Sequence, residues 1–327
     1  MADNVIIKPE KWASAALGLL ETERVLSGLV SRDPGNAFTG AKGDTVNVKR
    51  PSLLSGTVEA LRDMDGESYT GIQTEALNER SFPVKVDKHV YSAVDLTDAE
   101  LTLDITEFGA QVLTPQVKAI ATRIEYMLAQ KFNGLPAEAV TGTSYGDVRK
   151  AIVRLRKLLN TRDVPQSGRI LVVGVDVEEH LLNDPNFIRV DYSGTDSALR
   201  SAELGRIAGF RVYVSNVIDA DRMVALHPSA YTLVTRAPRI PGGVASGEST
   251  SYGGVALRAV KDYNSVTAKD RSFISTFAGV GEVLDPVITR DADGKVTVGN
   301  DQMLRAAAVT VTITDPPENP EAPDPSE

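Results

Sequence analysis

The span from Phe38 to Asp98 constrains this chain more than any other. Its two ends alternate apolar and polar residues at the period of a strand. Thr45-Val46-Asn47-Val48 lies on one side, and Phe82-Pro83-Val84-Lys85-Val86 and His89-Val90-Tyr91-Ser92-Ala93-Val94 lie on the other. Between them is a polar, glycine-rich middle. The pattern predicts long strands joined by an extended excursion with little core of its own. A hairpin of that kind is marginal in water unless it lies on another surface. A connection this long inside a compact domain is either functional or unstructured. The mixed run Arg62-Asp63-Met64-Asp65-Gly66-Glu67 within it reads as a solvent-exposed tip or as a docking edge that meets complementary charges on another subunit.

Around this excursion the chain carries ordinary elements. Residues 9–33 read as a helix, with Pro9 in the first turn, an apolar stripe through Trp12, Ala16, Leu19, Leu26 and Val30, and a stop at Asp33-Pro34-Gly35. A second helix spans 115–132, with Thr114 as its expected cap and Asn133-Gly134 as its end. Its stripe is Val117, Ile120, Ile124, Met127 or Leu128, and Phe132, and residues 98–113 extend it with a kink at Pro115. Residues 145–160 form an amphipathic helix, with Ser144 and Asp147 placed as a capping box and Val148, Ala151, Ile152, Leu155, Leu158 and Leu159 facing inward. A buried strand (169–174), a short helix (176–187) and further strands follow, so 140–235 reads as α/β. Residues 241–254 are expected to be a flexible loop, Asp293-Gly294 a hairpin turn, and 306–314 a last strand with Val309, Val311 and Ile313 on one face.

Composition removes several kinds of chemistry. The 327 residues contain no cysteine, which excludes disulfides, thiolate nucleophiles and cysteine-ligated zinc. No apolar run approaches the ~20 residues of a membrane helix. The opening MADNVIIKPEKW has no basic segment followed by an apolar one, so no secretory signal is expected. Net charge is -9, and residues 314–327 hold five acids and no base. This proline-rich tail is expected to be disordered, and overall acidity argues against sequence-specific DNA binding.

No stretch carries a catalytic signature. Gly205-Arg206-Ile207-Ala208-Gly209 follows a helix-like piece and precedes a strand, the reverse of a dinucleotide-binding turn. Gly205 reads as a helix cap and Gly209 as a tight lead into the strand. The three histidines, His89, His180 and His227, form no zinc-binding spacing. The serines of 246–251 lack a nucleophile elbow. Asp291-Ala292-Asp293-Gly294 begins like a calcium loop, but Gln302 stands where the twelfth-position Glu belongs. Arg149, Lys150, Arg154, Arg156 and Lys157 cluster on one helix. They read as a solvated or interface face, with nucleic-acid phosphates as the alternative.

The order of these pieces resembles the major capsid proteins of tailed bacteriophages, which have the Hong Kong 97 fold. The pieces include a long helix opening with DLTDAELTLDI (95–105), the most specific are GDTVNVKRP (Gly43 to Pro51) and ELGRIAGFRVYVSN (203–216), and the resemblance covers 5 to about 314. It implies an α+β class and a series of named parts. Residues 1–40 would be an N-arm, 41–92 the extended hairpin or E-loop, and 93–136 a peripheral domain with its spine helix. Residues 137–270 would be an axial domain, 271–314 the return to the peripheral domain, and 315–327 a disordered acidic tail. It also implies a structural protein, not an enzyme, with no cofactor, metal or catalytic residue. Copies would assemble as pentamers and hexamers into the icosahedral head, in the host cytoplasm, enclosing double-stranded DNA bound non-specifically. Scaffolding protein, portal and a decoration protein are the further partners it implies, with no membrane. Trp12, Arg50, Arg62, Asp63, Asp65, Glu67, Arg149 and Arg154 are the expected subunit-interface residues. Two alternatives stand beside it: an encapsulin-type nanocompartment shell, and an α/β enzyme or ligand-binding protein.

Overall fold

The computed structural model describes residues 25–32, 45–50, 74, 80–97, 100, 108–142, 145–183, 205–244, 246–252, 255–264, 266, 269–290 and 296–313. A 3-10 turn (Leu26–Gly28) leads to β1 (Ser31–Arg32), then β2 (Thr45–Arg50), β3 (Arg80–Lys85) and β4 (Lys88–Thr97). A π-helical turn (Gly109–Leu113) runs into α1 (Thr114–Asn133). Next come β5 (Ala137–Gly142), α2 (Tyr145–Thr161), β6 (Ile170–Val173) and α3 (Val175–Leu182). The strands β7 (Arg206–Ile207), β8 (Phe210–Val214), β9 (Arg222–Leu226), β10 (Tyr231–Arg236) and β11 (Ser246–Tyr252) follow. The remainder is β12 (Val255–Asn264), β13 (Lys269–Glu282), β14 (Asp285–Arg290), β15 (Val296–Gln302) and β16 (Ala306–Ile313).

Two six-stranded sheets organise these elements. The first runs β1-β10-β13-β12-β11, with β4 on the opposite side of β13. β13 is long enough to serve three partners: β12 pairs with 269–275 and β10 with 277–282, while β4 pairs with 269–278. The second sheet runs β5-β16-β9-β6-β8-β7. Its strands β6 and β9 are buried at every residue. Continuous apolar runs such as Ile-Leu-Val-Val suit a strand covered on both faces. One face, through Ile170, Val172, Val224, Leu226 and Ala306, joins the core of α1 and the first sheet. The other, through Leu171, Val173, Met223, Ala225 and Val309, packs under Val148, Ile152 and Leu155 of α2 and Val177 of α3. Strands β10 to β12 belong with β4 and β13, whereas β16 crosses back to β5 and β9.

α1 carries the expected stripe, with Val117, Ile120, Ile124, Leu128 and Phe132 buried. Two polar residues inside that stripe were not anticipated. The Glu125 carboxylate accepts from the backbone N–H groups of Leu26 (2.5 Å) and Ser27 (3.0 Å), tying the 3-10 turn to the helix. Gln116 donates to the carbonyls of Ser92 (3.3 Å) and Ser272 (3.0 Å), and its own oxygen accepts from Ser272 Oγ at 2.7 Å. It thereby links α1 to β4 and β13.

Several expectations need correction. Thr114 does not cap α1, because Leu113 before it is already helical and a π turn runs into the helix there. Residues 25–32 of the expected first helix form a 3-10 turn and a short strand, since β1 pairs with β10 in parallel. The short helix ends at Leu182. Residues 246–252 are strand β11, paired along its length with β12, so a Ser- and Gly-rich composition did not decide the backbone there. The Ser144 cap, the helix before Gly205 and the Asp293-Gly294 turn lie outside the described residues, although β14 and β15 pair antiparallel as a hairpin requires. Ala208 (φ +47°) and Gly209 (φ +87°) form the two-residue turn between β7 and β8. Both lie in the left-handed region that a tight primed hairpin turn needs. The sequence around Gly209 is a hairpin turn, not a phosphate loop.

Glu125→Ala leaves two buried N–H groups without an acceptor. It is expected to lower stability by about 2–3 kcal/mol, read as a lower denaturant midpoint at unchanged slope.

Candidate assembly surfaces

The base of the long excursion is built from residues that leave room for it. β2 and β3 pair antiparallel from Thr45 with Lys85 to Arg50 with Arg80. Val46, Val84 and Val86 bury themselves with Val234 of β10, and Val48 and Phe82 pack against them. β3 lies across the end of β13 at Gly279 and Gly281. A Cβ at Gly279 would stand 2.2 Å from the Lys85 carbonyl oxygen, and one at Gly281 would stand 2.3 Å from a Val84 methyl. Only a residue without a Cβ fits either place. The hairpin thus has a small valine core at its foot, and residues 51–79 between its strands lie outside the described residues.

The face of the first sheet turned away from α1 carries exposed rings. His89 and Tyr91 of β4 alternate outward and meet Phe277 and Phe273 of β13, with ring centroids 5.0 Å and 5.7 Å apart. Tyr91 is 60 % exposed and Phe277 39 %. The Arg258 guanidinium stands 5.4 Å over the Phe273 ring, and its Nε donates to Ser275 Oγ at 3.1 Å. Burial and the Arg258 charge hold the His89 imidazole below its ordinary pKa. Among the described residues, β4 pairs only with β13, so its other edge is open. A groove beside it is lined by Lys88, Tyr91, Arg123, Tyr126, Met127 and Gln130.

Of the interface residues expected from sequence, Arg149 is exposed on α2. Arg154 pairs within the subunit, its Nε 2.8 Å from Glu138 of β5. Arg50 ends β2, opposite Arg80. Trp12, Arg62, Asp63, Asp65 and Glu67 lie outside the described residues. Sequence reasoning missed the ring cluster and the glycine pair. Alternation in His89-Val90-Tyr91 marked a strand, but which strand would place rings beside it was a matter of register.

A polar cluster sits where the chain passes between the sheets. His227 follows β9 and caps the turn Pro228–Ala230, which leads into β10. Ser229 donates its N–H to His227 Nδ1 (3.3 Å), and its hydroxyl lies 2.8 Å from the same nitrogen. That hydroxyl accepts from Arg305 Nη1 at 2.7 Å. Arg305 in turn grips Asp285 through two contacts, at 2.5 and 2.9 Å. Arg169 stands on the far side, held by Asn160, Val164 and Pro165. Burial, then Arg305, then Arg169 push the His227 pKa down, against a hydrogen bond to the Ser167 carbonyl. Among the described residues, no group of three His, Asp or Glu side chains is placed to hold a metal, and no helix is long and apolar enough to cross a membrane.

Two outcomes follow from this geometry. Gly281→Val is expected to displace the β2–β3 foot and cost about 1–3 kcal/mol, with faster proteolysis near residues 80–86 as the readout. For His227, a depressed folded-state pKa means the unfolded chain takes up the proton first. The stability this gives is complete above the ordinary value of 6.5 and is lost as pH falls through the folded-state value. His227→Gln should flatten the fall of the melting temperature between about pH 7 and pH 5.

A family model described as phage capsid protein matches residues 79–276. A search of curated protein sequences finds no match. Among solved structures, one from Mycobacterium phage Che8 is similar, with a TM-score of 0.57 and 18 % identity over 88 % of this chain and 90 % of that one. The capsid of Ralstonia phage GP4 gives 0.55 and 11 %, covering 89 % of each chain. The mature capsid of bacteriophage PhiM1 gives 0.54 and 14 %, covering 88 % of this chain and 87 % of that one.

Proposed function

The chain belongs to the phage capsid protein family, and from that premise we propose how its parts build a shell. It is a major capsid protein, a structural component of the phage head. The observation that carries this is the family match over 79–276, the span that holds α1 and most of both sheets. We propose the Hong Kong 97 arrangement, with the first sheet and α1 as peripheral domain and spine. The second sheet with α2 and α3 would be the axial domain, and the β2–β3 hairpin the foot of the E-loop.

This reading has a physical basis in the subunit. A hairpin with a small core at its foot gains stability by lying on a neighbour. The exposed rings of β4 and β13 and the open edge of β4 offer a neighbour's extended arm both apolar area and backbone partners. Head-to-tail contacts that close by rotation give rings, here pentamers and hexamers. Many modest contacts per subunit then add up to a stable shell. Trp12, Arg50, Arg62, Asp63, Asp65, Glu67 and Arg149 are proposed to lie at these contacts. Scaffolding protein, portal, a decoration protein and packaged DNA are the proposed partners, with assembly in the host cytoplasm. No catalytic role is proposed. The family match favours a phage head over a nanocompartment shell.

Replacing residues 53–77 by a short Gly/Ser turn keeps β2 and β3 in register. The expected product is a soluble subunit that does not close shells, measured by light scattering with negative-stain electron microscopy. Shells of normal size and yield from that variant would refute the proposed role of the arm.

A further inference from the structure

Two features of the chain complement one another: the acidic tail and the basic face of α2. We propose that residues 315–327 dock along the exposed face of α2 of the same subunit. Arg149, Val153, Arg156 and Lys157 are exposed on that face, Val153 at 51 %. Lys150 and Arg154 beside them are neutralised by Asp147 and Glu138, each at 2.8 Å. Among the described residues, Arg149 and Lys157 meet no carboxylate, and Arg156 donates only to the Ala208 carbonyl, at 2.9 Å. That contact brings the β7–β8 turn against α2, and exposed Arg206 and Arg211 continue the basic ledge. The face is positive, partly apolar and short of acids.

The tail sequence complements it. Its acids are Asp315, Glu318, Glu321, Asp324 and Glu327, one at every third position, with prolines at 316, 317, 320, 323 and 325. A polyproline II segment has three residues per turn and rises ~3.1 Å per residue, so the five carboxylates would line one edge about 9 Å apart. On α2, Arg149 and Arg156 are seven residues apart, which is about 10.5 Å along the axis. The two spacings nearly match.

Connectivity places the tail in the same subunit. Ile313 pairs with Gly142 in parallel, and α2 begins at Tyr145. Three residues span at most about 10 Å, so the first acid leaves the sheet beside the first turn of α2. There the helix dipole also favours a carboxylate. Thirteen residues in polyproline II reach about 40 Å, against roughly 26 Å for the whole helix.

The absence of cysteine makes the test clean. The full chain carrying Val153→Cys and Asn319→Cys should form a disulfide within one subunit under mild oxidation, seen on non-reducing gels. It should form at least about five-fold faster at low salt than at 1 M, where screening shortens to ~3 Å. A control pair, Val266→Cys with Asn319→Cys, should react at the slow rate at either salt. Converting the five acids to amides should slow the first pair to that rate. Equal rates for the two pairs, or a rate indifferent to salt and to the amides, would overturn the docking. A bond between subunits would overturn its assignment to the same chain.

Discussion

The burial of α1 against both sheets is the constraint on which the rest depends. Its stripe from Val117 to Phe132 shares one apolar core with Leu233, Leu257 and Ile274 of the first sheet and with Val172, Val224 and Leu226 of the second. Polar contacts fix the helix in that core more narrowly than apolar area does. Gln116 reads the carbonyls of β4 and β13, and Glu125 holds the amides of Leu26 and Ser27. A buried carboxylate or amide with specific partners fails if the helix slides or turns, whereas a leucine tolerates small shifts. The helix is therefore the reference for the N-terminal turn and the first sheet.

Two glycines on β13 let the β2–β3 hairpin approach its backbone, and four valines hold the hairpin there. The same sheet exposes an aromatic face and, among the described residues, leaves the outer edge of β4 without a strand partner. In an isolated subunit both are liabilities, since exposed rings and unpaired strand edges invite association. In a capsid protein association is the function, and the same features become contact surface. The chemistry that would mark an enzyme is not what the family membership requires, and the ionisable groups instead join structural elements. Arg305, Asp285, Ser229 and His227 form such a joint, at the point where β9 passes into β10 and β16 returns to the second sheet.

Much of the candidate site was legible as elements and little of it as a surface. The stripes of α1 and α2, the strands around Val46, Val84 and Tyr91, and the pairing of β14 with β15 follow from periods of 3.6 and 2. Those periods come from local backbone geometry and need no partner. The strand β11 shows the limit: Ser246-Gly247-Glu248-Ser249 has the composition of a loop, yet it pairs with Lys261 back to Arg258 because β12 presents a free edge there. Glu125 shows another limit, since a charged residue within an apolar stripe looks like a break until the turn it caps is in place.

By itself, the sequence determined the apolar stripes of α1 and α2, the strands around Val46, Val84 and Tyr91, and the exclusion of cysteine chemistry. These depend on side-chain type and near-neighbour spacing alone. Only the tertiary structure decided that β10 to β12 join β4 on one sheet while β16 returns to the other. It alone decided that Gly279 and Gly281 are the seat of the arm, and that His89, Tyr91, Phe273 and Phe277 share one face. These depend on register between strands far apart in the chain, and one residue of slip would turn every such side chain to the opposite face.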